Sequence, residues 1–160
     1  MASIVIAPLV RLLIGLPSDA DADLLVVPVF EGEAVADALP EIDAATQGEV
    51  TRAAVSGEVK GRLYELFVTP ASGPGMKAGR VSLAGAGKAA DFDTERLRKL
   101  AVAAALMARG RRLARVAFLM RGSIPARDAV QAIAEGLILA GFSVDQYKTA
   151  KARTLATTHQ

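Results

Sequence analysis

Arg80-Val81-Ser82-Leu83-Ala84-Gly85-Ala86-Gly87-Lys88 decides the fold class: an apolar strand runs into a glycine-bearing turn. Asp91-Phe92-Asp93-Thr94-Glu95 then supplies an N-cap acceptor and the early acidic residues of a helix. Leu97, Leu100, Ala101, Ala104 and Met107 (or Ala108) recur at helical spacing, Arg109 and Gly110 close that helix, and Arg115 to Met120 reads as a second strand. Ser123-Ile124-Pro125 opens another helix. Val130, Ile133, Ala134, Leu137 and Ile138 are its predicted buried face, Gly141 its predicted C-cap, and Val144 to Tyr147 a last short strand. The order strand, helix, strand, helix, strand is the signature of crossover units on a mostly parallel sheet, so the class is α/β.

Upstream, Leu24-Leu25-Val26-Val27-Pro28-Val29-Phe30 is a continuous apolar run, too short for a helix and rich in β-branched residues, as expected of a strand covered on both faces. Pro28 donates no ladder hydrogen bond, which predicts a strand end or a bulge there. Leu39 to Ser56 has the spacing of one helix, with Gly48 as a weak point in its middle. Leu63 to Thr69 alternates as a strand, Pro70 to Gly75 can only turn, and Arg80 to Ala84 should pair beside it, making the sheet mixed. Ile4 to Ile14 reads as one or two strands interrupted at Pro8 and ended by Pro17-Ser18-Asp19; residues 150–160 read as a frayed end or the start of a linker.

Composition excludes much chemistry. The chain has 160 residues, 52% hydrophobic, 22% charged and 4% aromatic, the profile of one folded domain. With no Cys and a single His, His159 beside the C-terminus, there is no disulfide, cysteine nucleophile, Cys/His zinc site or Ser-His-Asp triad on a buried imidazole. The apolar start, Met1 to Gly15, lacks a basic leader and a cleavage site, and no uncharged apolar run approaches the ~20 residues that cross a bilayer, so a soluble, cytoplasmic protein without membrane contact is expected. Charge is lopsided. Residues 1–80 hold 6 Lys+Arg against 11 Asp+Glu, and residues 81–160 hold 13 against 6. The basic half could attract phosphate or face the acidic half of a neighbouring copy.

Four kinds of cluster have the residue types of a site. Gly85, Gly87 and Lys88 lie where backbone amides and a helix N-terminus can hold a phosphate, but a third glycine and P-loop spacing are missing, and Asp91 and Asp93 put negative charge there; a tight turn is the better reading. Asp19, Asp21 and Asp23 imitate the opening of a calcium loop, yet Leu24 and Phe30 occupy the places of the required glycine and glutamate, leaving solvated acids. Arg109, Arg111, Arg112 and Arg115 fit the helix dipole better than nucleic acid, since no aromatics interleave them. Glu31 with Glu33, and Asp91 with Asp93, look like surface carboxylates without a partner base. No catalytic constellation emerges.

Ala22-Asp23-Leu24-Leu25-Val26-Val27-Pro28-Val29-Phe30-Glu31-Gly32 resembles the opening of the N-terminal domain of the leucine (cytosol) aminopeptidase family. Gly57 to Arg62, Arg80 to Lys88, Phe92 to Lys99 and Phe142 to Thr149 resemble further segments of that domain in the same order, so the likeness covers roughly residues 3–149. It implies a three-layer, macro-domain-like α/β fold over 1–149, with a mixed, mostly parallel sheet between helices. Peptidase chemistry would lie in a separate C-terminal domain with zinc or manganese, and the family assembles as hexamers. The family's Asn-Thr-Asp-Ala-Glu-Gly-Arg-Leu stretch does not occur, so no catalytic, cofactor or metal residue carries over. Lys151 to Gln160 departs from the family's interdomain helix.

Three functions follow as expectations: a non-catalytic domain of a metallo-aminopeptidase serving assembly or regulation beside its own catalytic domain; a stand-alone module binding a nucleotide or ADP-ribose-type ligand near Gly85 to Lys88; and a DNA contact through Arg109 to Arg115, the least favoured. The first is preferred on the strength of the resemblance.

Overall fold

In a computed structural model, residues 15–141 are described. Four strands form one mixed sheet in the order β2-β3-β1-β4: β1 is Leu24–Val29, β2 Leu66–Pro70, β3 Arg80–Gly85 and β4 Val116–Phe118. β1 runs parallel to β3 and to β4, and β2 lies antiparallel on β3. Helices α1 (Val35–Ala38), α2 (Pro40–Ala45) and α3 (Glu49–Ser56) cover one face; α4 (Thr94–Gly110) and α5 (Ala126–Gly141) cover the other. This is the expected three-layer α/β arrangement. The predicted strands at 4–14 and 144–147, and the tail 150–160, lie outside the described residues.

The period of two along β1 explains the layers. Leu24 and Val26 point into the α4–α5 core with Ala84, Leu97 and Leu100; Leu25, Val27 and Val29 point into the α1–α3 core with Ile42, Val50 and Leu83. Every residue of β1 is buried, and each Leu or Val so buried contributes about 1.5–3 kcal/mol before entropy is counted. Pro28 neither ends nor bulges the strand, which continues to Val29 with Pro28 opposite Ala84. Its backbone faces the β4 side, where pairing has already stopped at Val26↔Phe118, so no ladder donor is missed.

α4 forms as read. Asp93 caps it by accepting the Arg96 amide at 2.9 Å, and Leu97, Leu100, Ala101, Ala104 and Ala108 are its buried stripe. α5 is rotated from expectation: Ala129, Ala132, Ile133, Gly136 and Ala140 are buried, whereas Ile138 is exposed and Val130, Ala134 and Leu137 are half-buried. The reason is close approach. A Cβ on Gly136 would stand 2.6 Å from the Arg98 carbonyl and 2.7 Å from the Ala101 Cβ, so α5 presents its small residues to α4 and turns larger ones outward.

The single helix expected over 39–56 is two. Gln47 (φ 56°) and Gly48 (φ 80°) enter the left-handed region and break it, which Gly allows at no steric cost. Asp43 replaces the side chain that Gly48 lacks, accepting the Thr51 amide at 2.9 Å and the Thr51 hydroxyl at 2.7 Å, so α2 caps α3. The strand read from Leu63 starts at Leu66, because Tyr64 (φ 65°) turns the chain and donates its amide to Gly85. β4 is shorter than the expected Arg115 to Met120. No described helix is long and apolar enough to cross a membrane.

Candidate functional site at the strand ends

In open α/β sheets ligands settle beyond the carboxyl ends of the parallel strands. Here three connections converge on that edge: Phe30 to Glu33 after β1, Ala86 to Lys88 after β3, and Leu119 to Gly122 after β4.

At the β3 end the amides are already used. Gly85 donates to the Glu65 carbonyl at 2.7 Å, Ala86 to Val29 at 2.8 Å and Gly87 to Gly61 at 2.9 Å, while the Gly87 carbonyl accepts from Glu31 at 3.0 Å. Gly85 is required by contact, since a Cβ there would lie 1.7 Å from the Arg62 carbonyl oxygen; Gly87 (φ 73°) is required by conformation. Lys88 is exposed. The glycines thus serve the tight turn between β3 and α4.

The charged centre of the edge is elsewhere. Arg121 donates to the Pro28 carbonyl at 2.6 Å, the acceptor left over where β4 stops, and to both carboxylate oxygens of Glu33, one of them at 3.0 Å. Glu33 also accepts the Phe30 amide at 3.1 Å. The guanidinium carbon lies 5.7 Å from the centre of the Phe30 ring, which meets Phe92 edge to face at 5.3 Å. Burial pushes the Glu33 carboxyl up, but the Arg121 guanidinium and the Phe30 amide outweigh it and hold the group below its ordinary value. Glu33 is therefore no solvated surface carboxylate, as the sequence had suggested: its side chain is 17% exposed and Arg121's 16%. Nothing in the sequence joins residues 88 positions apart, so this pair was not legible there.

Beside the pair lies an apolar cleft of about 120 Å³ bounded by Leu97, Leu119, Met120, Ile124 and Ile133. Pockets for drug-sized ligands are typically about 300–1,000 Å³, so this cleft is too small for a nucleotide without rearrangement. The two charges of the pair neutralise each other. What they do chemically is bind the β1–α1 connection to the β4–α5 connection.

The remaining candidates also resolve into structure. Asp23 is tied down, accepting the amides of Ala114 at 3.0 Å and Arg115 at 2.9 Å; the Arg115 amide is the largest influence holding its carboxyl below the ordinary value. Arg115 lies 3.4 Å from Asp21 and 3.5 Å from Asp23. Arg109 donates to the Ala140 carbonyl at 2.9 Å, satisfying the end of α5 where the dipole reading had assigned it to its own helix. Of the four arginines only Arg111 and Arg112 have neither an ion pair nor a side-chain hydrogen bond among the described residues, a small base for a phosphate track. Among the described residues no three His, Cys, Asp or Glu side chains gather where they could hold a metal ion. The donor set here does not fit a two-metal centre.

The model of the cytosol aminopeptidase family N-terminal domain matches residues 26–151. The chain is 35% identical over 129 residues to a probable cytosol aminopeptidase of Solibacter usitatus, covering 81% of this chain and 25% of that one. It is 30% identical over 147 residues to the cytosol aminopeptidase of Pseudomonas aeruginosa PAO1, covering 87% and 29%. The chain thus spans between a quarter and three tenths of the length of these curated relatives. Among solved structures it is similar to the macrodomain of Thermus aquaticus DarG (TM-score 0.55, 19% identity, 77% of this chain and 86% of that one). It is also similar to the bottromycin maturation enzyme BotP in complex with Mn (TM-score 0.51, 21% identity, 84% and 28%). At those identities the structural likeness carries the fold alone.

Proposed function

Since the chain belongs to the cytosol aminopeptidase family and corresponds to its N-terminal domain, we propose that it is the non-catalytic module of a larger metallo-aminopeptidase, serving assembly or regulation. In this reading residues 1–149 belong to that macro-like domain, 150–160 are a tail or the start of a linker, and peptide hydrolysis would reside in a separate C-terminal domain that holds zinc or manganese. The subunits would assemble as homo-oligomers in the cytoplasm.

One observation carries this reading: the N-terminal domain model accounts for residues 26–151, while the relatives it matches are more than three times as long. The strand-end geometry is consistent with it. Arg121 and Glu33 are engaged with one another, and a group held in an ion pair is a poor proton carrier.

The test is an assay of the 160-residue chain with Leu-p-nitroanilide and added manganese or zinc. No turnover is expected. Hydrolysis at the rate of a full-length relative would overturn the non-catalytic assignment. Replacing the corresponding segment of the Pseudomonas aeruginosa relative by this chain should preserve its assembly, and a hybrid that is active but no longer oligomeric would remove the assembly role.

A further inference from the structure

The two helical layers carry opposite charge. The stretch from Glu31 to Glu58, which contains α1–α3, holds seven Asp/Glu and one Arg, a net of −6. The stretch from Thr94 to Gly141, which contains α4, β4 and α5, holds nine Lys/Arg and three Asp/Glu, a net of +6. Glu33 and Arg121 cancel one another at the strand ends and Arg115 is paired with Asp21 and Asp23, which leaves −5 and +4; because the layers cover opposite faces of the sheet, these remaining charges lie on opposite sides of the molecule. Internal ion pairs do not exhaust them. Glu31, Asp37 and Glu41 on one side, and Arg111, Arg112 and Arg127 on the other, are exposed and in no ion pair among the described residues.

Each face also carries apolar surface. Between α1 and α3 lies a shallow groove of about 190 Å³ along Val35, Ala54 and Val55, with Glu33 and Asp37 at its rim; Val55 is 84% exposed. On the outer sides of α4 and α5, Leu106, Ile138 and Leu139 are 50%, 45% and 51% exposed, and Leu106 stands one helical turn before the Arg109 to Arg112 end. From these observations we propose that the α1–α3 face of one copy receives the α4–α5 face of a second copy, head to tail, the exposed Leu and Ile side chains seating in the Val55 groove.

A twofold pairing of identical faces would set acid against acid or base against base, which like-charge repulsion disfavours. A head-to-tail contact sets opposite charges together and leaves one unused face at each end, so association proceeds beyond two copies to a ring or a filament. The charged groups are exposed, so screening weakens the contact as salt rises. This contact rests on the assembly role proposed above and would be one way to perform it; its failure would remove the contact and leave the non-catalytic assignment, tested separately by hydrolysis, standing.

Sedimentation velocity of the 160-residue chain over a range of concentrations, at low and at half-molar salt, tests it. The expected result is association beyond a dimer at low salt that salt reverses. Val55→Asp and Leu106→Asp, both at exposed positions and checked for folding by circular dichroism, should each be monomeric alone. Mixed, they should form a dimer that does not grow, because the first retains a usable α4–α5 face and the second a usable groove. A wild-type chain that stays monomeric at low salt, a mixture that stays monomeric, or association that survives either substitution would each overturn the proposal.

Discussion

The α4–α5 layer and the α1–α3 layer enclose the same sheet by different means. α4 and α5, 17 and 16 residues long, hold themselves by periodic small and apolar residues and meet at Gly136. α1, α2 and α3 are 4, 6 and 8 residues long, too short to persist alone, and are fastened by single polar contacts. The Asp43 carboxylate caps α3 from α2; the Thr46 hydroxyl donates to the Ile42 carbonyl at 2.9 Å; the Gly73 amide closes the end of α2 on Ala45 at 2.7 Å. A long layer is stabilised by repetition and a short one by particular atoms, so each should fail in its own way.

The largest effect is expected where repetition meets a hard contact. Gly136→Val places branches where even a Cβ stands 2.6 Å from the Arg98 carbonyl, and should cost about 3 kcal/mol or more, read from urea denaturation. Val130→Ala on the same helix, half-buried, should cost distinctly less; equal losses would show that the α4–α5 contact is not the Gly136 face.

Next comes the strap between the layers. Arg121→Met leaves the Glu33 carboxylate partly buried without its cation and should cost about 2–3 kcal/mol at neutral pH. The pH dependence has a definite sign. Glu33 sits below its ordinary value of 4.5 in the folded chain, so its contribution is complete above that value and is lost as pH falls through the folded one. Arg121→Met should accordingly flatten the acid limb of the stability profile, and an unchanged limb would separate the pair from acid stability.

Smaller still is the cap. Asp43→Ala should cost about 1 kcal/mol and raise amide exchange at Thr51 and its neighbours in α3 while leaving α4 untouched. Exchange rising equally in both layers would mean that they open as one unit. The smallest effect has the opposite sign. Ser82 lies in the centre of β3 on the α4 side, fully buried, with its hydroxyl unpartnered. Ser82→Ala removes that desolvated group and should be neutral or stabilise by up to about 1 kcal/mol.

How far the sequence could be read follows the same division. The strand at Leu24 to Val29, the helix after Asp93, the pairing of β2 with β3 and the α/β class were legible, because a period of two or of 3.6 and an N-cap are local patterns, whereas the three-layer arrangement was implied by the family resemblance. The family was legible as well, its segments standing in order along the chain. The breaks at Gln47 to Gly48 and at Tyr64, the rotation of α5 onto Gly136 and the passage of β1 through Pro28 were not, because each depends on what lies opposite in space. The same holds at the strand ends. Gly85 and Gly87 were visible as glycines in a turn, but which carbonyls their amides meet is set by the Gly61 to Glu65 segment folding over them. Glu33 stood out in the sequence only as a carboxylate near Glu31, Arg121 carried no mark, and nothing there joined the two. Local sequence specifies elements through the backbone preferences of neighbours, whereas ion pairs, close approaches and opposed charged faces arise only when distant segments share one packed volume.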